Sequence, residues 1–192
     1  MANLYIIAGC NGAGKTTASY TILPDMLHCK HFVNADEIAR GLSPFDVESV
    51  AIQAGKIMFS RIEELIELKE DFAIETTLAT RSYIKLIDKA HLLGYIVHLL
   101  FFYIESVELA KLRVAKRVSE GGHNVAEEII ERRYKLGINN LINLFIPRCD
   151  SVLLVNKSVD FTTFAEKKTL NEPIKIVNQS IWDKMLSNYE RK

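Results

Sequence analysis

The sequence predicts an α/β fold: a three-layer sandwich built on a five-stranded parallel sheet, with lid helices and a C-terminal hairpin. Three observations predict it. A short apolar run, Leu4-Tyr5-Ile6-Ile7-Ala8, leads into the glycine-rich stretch Gly9-Cys10-Asn11-Gly12-Ala13-Gly14-Lys15-Thr16 and then into a segment that can open a helix. Strand-like and helix-like segments alternate after it, the pattern of a doubly wound sheet with its ligand at the carboxyl ends of the strands. The run from Tyr95 to Ile104 is almost uninterruptedly apolar, as expected of a central parallel strand buried on both faces.

The remaining elements follow in chain order. Leu23-Pro24 predicts a break after the first helix. His31-Phe32-Val33-Asn34 reads as a second strand running into Ala35–Arg40, and Gly41-Leu42-Ser43-Pro44 ends that segment. From about residue 46 to residue 68, apolar residues recur near helical spacing (Val50, Ala54, Ile57, Met58, Ile62, Leu65, Ile66), which predicts a long amphipathic helix. Phe72-Ala73-Ile74 opens a third strand with a polar end, Glu75-Thr76-Thr77-Leu78. Ser82 to Leu93 is helical and closed by Gly94. A charged helix spans about 107–120 and is broken by Gly121-Gly122-His123. Asn124 and Glu127 have the spacing of a capping box for a helix running to about Phe145. Ser151–Val155 is a fifth strand, and alternation around Asn171-Glu172-Pro173 predicts a terminal hairpin, with a short helix from Ile181. The whole chain, residues 1–192, reads as one domain with a lid region at about 107–135.

Composition narrows the class. Of 192 residues, 48% are hydrophobic and 25% charged, the balance of a globular protein with a sizeable core. Lys+Arg and Asp+Glu number 24 each, so the basic footprint of extended nucleic-acid binding is missing. No apolar run reaches membrane-spanning length and none reads as a signal peptide. The three cysteines, Cys10, Cys29 and Cys149, lack metal-ligand spacing and suit a reducing cytoplasm. Cys10 is either a reactive thiol at a helix N-terminus or a small residue that fits its loop.

Chemistry concentrates at the strand ends. Gly9–Thr16 has the form G-x-x-x-x-G-K-T in its strand–loop–helix context, the phosphate-binding P-loop. Its glycines let backbone N–H groups curl around phosphate, with the helix N-terminus adding partial positive charge. This assigns Gly9, Asn11, Gly12, Ala13, Gly14, Lys15, Thr16 and Thr17 to ATP, Lys15 to the β- and γ-phosphates, and the Thr16 hydroxyl to Mg²⁺. Asp36 and Glu75 stand where strands two and three deliver their ends, as a base or as an anchor for hydrated Mg²⁺. Structural alternatives are a helix N-cap for Asp36 and an ion pair with Arg81 for Glu75. Arg113 and Arg117 lie four residues apart on one helix face, where like charges repel unless phosphate is presented to them. Lys116, Arg132 and Arg133 add to that charge, and His123 either touches phosphate or caps the break. Thr76, Thr77 and Arg81 can hydrogen-bond an acceptor substrate.

Taken together, Gly9–Thr17, Asn34-Ala35-Asp36-Glu37-Ile38, Glu75-Thr76-Thr77-Leu78, Arg113–Arg117, Gly121-Gly122-His123 and Arg132-Arg133-Tyr134 resemble the zeta-toxin-like P-loop kinases. The resemblance covers about residues 4–158, and short stand-alone relatives often bear the name UDP-N-acetylglucosamine kinase. It implies the small-kinase fold, Mg-ATP as donor, Asp36 as base toward a substrate hydroxyl, Glu75 and Thr77 facing the acceptor, and Arg117 as a lid arginine. In the toxins proper the acceptor is the 3′-hydroxyl of the amino sugar of UDP-N-acetylglucosamine, and an antitoxin-like partner is possible. This chain departs from the pattern at Asn156-Lys157-Ser158, where relatives often carry Asp-Asn-Ser, and at Ala79, where the toxins carry arginine.

The expectation is therefore an ATP-dependent phosphotransferase, with Lys15, Asp36 and Arg117 catalytic, acting on a hydroxyl of a small, nucleotide-sugar-like metabolite. A nucleic-acid end kinase and a nucleotide-gated regulatory protein with incidental ATPase activity are the alternatives. Zero net charge disfavours the first, and the pair Asp36 and Glu75 disfavours the second.

Overall fold

The computed structural model describes residues 1–158 and 161–190, with the backbone alone for residues 189 and 190. Strands β1 (Asn3–Ala8), β2 (His31–Val33), β3 (Phe72–Thr76), β4 (Ile96–Tyr103) and β5 (Ser151–Asn156) are parallel. The sheet order is β2-β3-β1-β4-β5-β6-β7. Seven strands thus replace the expected five, because the terminal hairpin of β6 (Thr162–Lys167) and β7 (Lys175–Ile176) pairs antiparallel onto β5 and extends the same sheet. Helices α1 (Lys15–Thr21), α2 (Ala35–Leu42), α3 (Ala51–Glu67), α4 (Ser82–Leu92), α5 (Val107–Ser119), α6 (Glu127–Asn140) and α7 (Gln179–Glu190) flank it.

Four elements differ from their sequence signals. Leu23-Pro24 does not break the first helix; α1 widens into a π-helical turn, Ile22–Met26, in which the Leu27 amide reaches back to the Ile22 carbonyl. Helix α3 begins at Ala51 rather than residue 46, because Asp46 accepts from the Ser49 amide and Ser49 Oγ donates to the Asp46 carbonyl, a local pattern that competes with helix. The capping box at Asn124 and Glu127 does not form. Val125 is drawn into the core, and α6 starts beyond it with Ala126 as its uncapped N-terminal residue. Strand β4 is central, but its first half is buried on one face only. On the other face Tyr5 stacks on His98 at 5.0 Å, and His98 bridges Ser151 Oγ (2.7 Å) and Asn3 Oδ1 (3.1 Å).

Register decides what the strand ends deliver. Ile7 pairs with Glu75 across β1–β3, one position before Ala8 opens the glycine-rich loop. Val33 pairs with Ile74 across β2–β3, which sets Asn34 beside Glu75. Beyond Thr76 the chain turns sharply, with Thr76 Oγ1 accepting from the Leu78 amide and Leu78 at φ 58. Helix α6 clamps this turn: Asn140 Nδ2 donates to the Leu78 carbonyl at 2.7 Å, and Gly137 lies against the Thr77 carbonyl so closely that a Cβ there would stand 2.5 Å from its oxygen.

The closeness of Gly137 to that carbonyl yields a test of the clamp. Gly137→Ala removes helix-destabilising glycine but forces overpacking, so unfolding in urea is expected to show a net loss of about 1–3 kcal/mol. Unchanged or increased stability would mean that α6 and the 77–80 turn are not held together in this way.

Candidate active site

The loop between β1 and α1 is shaped from below. A Cβ on Gly9 would stand 2.4 Å from the Phe102 carbonyl oxygen, so only glycine lets the loop lie this close to β4. Ala13 is fully buried and supports the loop rather than facing solvent. The N-cap of α1 is Gly14, which has no side chain to occupy the first amides of the helix, and these remain free for an anion. Cys10 is buried, and burial pushes its thiol up to about 12, which leaves it a loop-packing residue rather than a reactive thiol.

Around this loop lies a cleft of about 600 Å³ lined by Asn11, Gly12, Gly14, Lys15, Thr16 and Thr17, together with Asp36, Glu75, Arg113 and Arg117. Lys15 is 6% exposed; its Nζ donates to the Cys10 carbonyl at 3.0 Å and stands 3.6 Å from Glu75 Oε1. Glu75 Oε2 accepts from Thr16 Oγ1 at 2.8 Å and from Asn34 Nδ2 at 2.9 Å. Burial raises the Glu75 carboxyl above the usual glutamate range, and the Lys15 charge and the Thr16 hydrogen bond oppose that shift. The Glu75–Arg81 pair expected as an alternative is not made. Arg81 is exposed at the head of α4 and is not among the cleft residues.

Asn34, not Asp36, caps α2. Its Oδ1 accepts from the amides of Asp36 (2.9 Å) and Glu37 (3.4 Å). The Asp36 carboxylate is therefore free of capping; it is half-exposed to the cleft, 3.9 Å from His123 Nε2. Arg113 Nη2 donates to the carbonyls of Lys157 and Ser158, both at 2.8 Å. Arg117 Nη2 donates to the His123 carbonyl at 2.9 Å. Arg117 Nε and His123 Nδ1 are buried without hydrogen-bond partners, and burial lowers the pKa of both groups. A smaller recess of about 120 Å³ joins Lys15, Asp36 and Glu75 to Thr77 and to Arg133, whose Nη1 donates to Asn11 Oδ1 at 3.3 Å.

The structure thus gathers Lys15, Thr16, Asp36, Glu75, Arg113, Arg117 and His123 around one loop, with Thr77 in the adjoining recess, and leaves Arg81, Lys116 and Arg132 out of the lining. It adds Asn34 as the bridge between Glu75 and α2, and singles out Arg133 from the basic residues of α6. Asn34 carried a signal, since asparagine at a strand end before a helix is a favoured cap. Arg133 lies 122 residues from Asn11, and no local pattern points to their meeting.

The donor set suits Mg-ATP. Uncapped amides, a buried ammonium and two guanidinium groups face one cleft, as a triphosphate requires. Among the described residues no cluster of three or more His, Cys, Asp or Glu would hold a metal alone. Thr16 Oγ1 and Glu75 are nonetheless hard oxygen donors at contact distance, and Mg²⁺ commonly takes few protein ligands besides water and phosphate oxygens.

Comparison with known proteins identifies the family. The model of the family described as Zeta toxin matches residues 2–145. The chain belongs to the Zeta toxin family. An uncharacterized protein of Haemophilus influenzae is 32% identical over 126 residues, 66% of this chain and 88% of that protein. This chain superposes on a chain of the AvrRxo1-ORF1:AvrRxo1-ORF2 complex solved with sulphate ions (TM-score 0.78, 16% identity), covering 98% of itself and 64% of that chain. The same complex has also been solved with ATP. It superposes as well on a chain from the PezAT chromosomal toxin–antitoxin system of Streptococcus pneumoniae (TM-score 0.68, 19% identity), over 100% of itself and 88% of that chain. At these identities the likeness is one of fold, an α/β fold with a mostly parallel central sheet flanked by helices. This chain spans less than two thirds of the AvrRxo1 complex chain it matches.

In this site, Glu75 makes a pH-dependent contribution whose sign follows from its raised pKa. Between the ordinary glutamate value and the raised folded value, the native state holds a proton that the unfolded chain has lost. Stability from this group is full below that window and falls as pH rises through it. Denaturation of wild type and Glu75→Gln across a pH series is expected to show the difference moving in favour of glutamine as pH rises. Parallel curves would show that Glu75 is not held protonated by burial.

Proposed function

We propose that this Zeta toxin family chain is an ATP-dependent kinase that moves the γ-phosphate of ATP to a hydroxyl of a small metabolite, with UDP-N-acetylglucosamine or a related nucleotide sugar as the acceptor class. The observation that carries this reading is Asp36: a carboxylate in the same cleft as Lys15 and Thr16, relieved of capping by Asn34 and open to a second substrate. A protein that only bound nucleotide would have no use for it.

The roles follow from position. Loop amides at the start of α1 and Lys15 bind the β- and γ-phosphates. Thr16 and Glu75 would hold Mg²⁺, which when bound neutralises charge on the phosphate oxygens. Arg113, fixed by two carbonyls, orients the nucleotide, and Arg117 takes up charge on the transferring group. Thr77 in the adjoining recess hydrogen-bonds the acceptor. Asp36 takes the proton from the acceptor hydroxyl as its oxygen forms the new bond to the γ-phosphorus. The bond from that phosphorus to the bridging oxygen breaks, and ADP leaves with the electron pair. The protein works mainly by alignment and charge, as expected for phosphoryl transfer. A cytoplasmic location and an antitoxin-like partner belong to the same reading. The buried free cysteines support the first, and the fold shared with the PezAT system supports the second.

Incubation with Mg-ATP and a metabolite panel that includes UDP-N-acetylglucosamine, read by mass spectrometry for an added phosphate, tests the reading directly. Phosphate on no member, with ATP hydrolysis indifferent to all of them, would overturn it. Asp36→Asn is expected to cut transfer by roughly 10²–10⁴-fold with ATP affinity nearly unchanged. Because Asn34 holds the cap, the substitution leaves α2 intact, and full activity in the variant would remove Asp36 from the chemistry.

A further inference from the structure

The face of the sheet beside α1 is only partly covered. Side chains alternate along β4, so His98 and Leu100 point toward α1 while Tyr103 points to the opposite face. Helix α7 is bound on that opposite face, where Asn188 Nδ2 donates to the hydroxyls of Tyr103 (3.0 Å) and Tyr134 (3.2 Å). Beyond β5 the chain extends the sheet into β6 rather than crossing back over the α1 side. A hollow of about 630 Å³ is left there, within the size range of small-molecule sites.

Its body is apolar. Ile7, Leu100 and Leu153, from three neighbouring strands, form the floor, and Ala18, Ile22 and Leu27 form a wall along α1 and its π-helical turn. Leu100 and Leu153 are only half-buried, although both stand on inner strands of the sheet. The polar groups lie at the two ends. At one end Asn3 Nδ2 donates to Asp71 Oδ2 at 3.0 Å, which leaves Asn3 Oδ1 to accept from His98 Nε2. His98 Nδ1 therefore accepts from Ser151 Oγ, and burial lowers the His98 pKa, so the ring is neutral. These groups satisfy one another and call for no charged partner. At the other end, roughly 20 Å away along β5 from Ser151, Lys157 Nζ stands 5.1 Å from the centre of the half-exposed Phe161 ring. Among the described residues Lys157 makes no ion pair, and no carboxylate lines the hollow. The charge of the hollow is thus one uncompensated ammonium at the mouth of an apolar trough.

We propose that this hollow binds an amphiphilic monocarboxylate, with its apolar chain along the sheet beside α1 and its carboxylate on Lys157. The trough supplies apolar contact for an extended chain, and the lysine supplies the single opposite charge at one end of it. A lone ammonium is a point charge suited to a carboxylate. A phosphate ester would call for the forked donors of arginine, and no arginine lines the hollow. The site is distinct from the nucleotide cleft, although Thr17 lines both, and it does not depend on the kinase reading.

The test is calorimetric titration with decanoate, decanol and acetate, each below its aggregation limit. It is run with and without Mg²⁺ and a non-hydrolysable ATP analogue. Decanoate is expected to bind at one site per chain in both conditions. Its affinity should exceed that of decanol by at least about tenfold, the scale of a charge-assisted hydrogen bond, with no detectable binding of acetate. Lys157→Gln should erase the preference for decanoate over decanol, and Lys157→Arg should keep it. Leu153→Gln should weaken decanoate and decanol by the same factor, about tenfold, through lost apolar contact. Thermal unfolding midpoints establish that the variants are folded. A photoreactive diazirine analogue of decanoate, applied to wild type, locates the site without any substitution and is expected to label residues 15–27 or 151–157. No saturable binding of decanoate, equal affinity for decanol, or an undiminished preference in Lys157→Gln overturns the proposal. So does loss of decanoate binding when the ATP analogue is saturating, which would put the carboxylate in the nucleotide cleft, or labelling confined to other residues.

Discussion

A carboxylate inside a protein must be surrounded by donors, or it takes up a proton. Glu75 is held under this constraint, and the site is built from the donors gathered for it. Lys15, Thr16 and Asn34 come from two different strand ends and converge on its two oxygens. They can do so because parallel register puts Ile7 opposite Glu75 and Val33 opposite Ile74. Asn34 is the joint. Its amide nitrogen serves Glu75, and its oxygen serves the first amides of α2. A single side chain therefore ties the phosphate-binding loop to the helix that carries Asp36, and both ends of its amide are satisfied only in this orientation.

The cations of the cleft are secured differently. Arg113 and Arg117 are fixed by backbone carbonyls, which orient a guanidinium without neutralising it. Their charge stays available to an anion, as an ion pair with a resident carboxylate would not allow. Lys15, by contrast, shares a carboxylate with Thr16. The cleft thus sets Asp36 and Glu75, from α2 and β3, against the guanidinium groups of Arg113 and Arg117 from α5. Arg40 of α2 and Glu120 at the end of α5 lie on the opposite sides from their like charges.

Much of this is legible in the chain itself, and the boundary of legibility is physical. The loop Gly9–Thr16, the parallel strands and the positions of Asp36 and Glu75 are local signals, carried by adjacent residues and by alternation. The π-helical turn at Ile22–Met26, the uncapped start of α6 and the late start of α3 are not legible, because each is decided by competition between local bonds and burial elsewhere. The seven-stranded sheet is half legible: the hairpin shows in the sequence, but its docking on β5 is a matter of which edge remains unpaired. Asp36 and Arg81 show the same limit within the site. Asp36 competes on paper for a cap that Asn34 takes in space, and Arg81 is close in sequence to Thr77 yet stands exposed at the start of α4, outside the cleft.

The two sides of the cleft also differ in how firmly they are held. Glu75 stands on β3, inside the sheet, and buried Lys15 and Asn34 stand at the starts of α1 and α2 directly beyond strand ends, where movement would open the core. Helix α5 is anchored near its start by buried Ala110 and Val114, and its ties to α6 through Lys111, Glu127 and Glu131 lie at the surface. Such exposed pairs are worth at most about 1 kcal/mol and weaken with salt. Beyond Val114 the helix surface is mostly exposed, and the chain turns back through Gly121, with the Gly122 amide on the Arg117 carbonyl. Arg117 therefore sits at the end of a lever whose fulcrum is in the core and whose tip is not. Its Nε and the His123 Nδ1 lack partners there, a cost of roughly 1–3 kcal/mol for each buried unsatisfied group that any rearrangement onto an anion can relieve. Ligand binding has little to gain by moving the carboxylate side and a definite gain from moving the arginine side, so closure, where it occurs, belongs to the distal half of α5 and the turn that follows it.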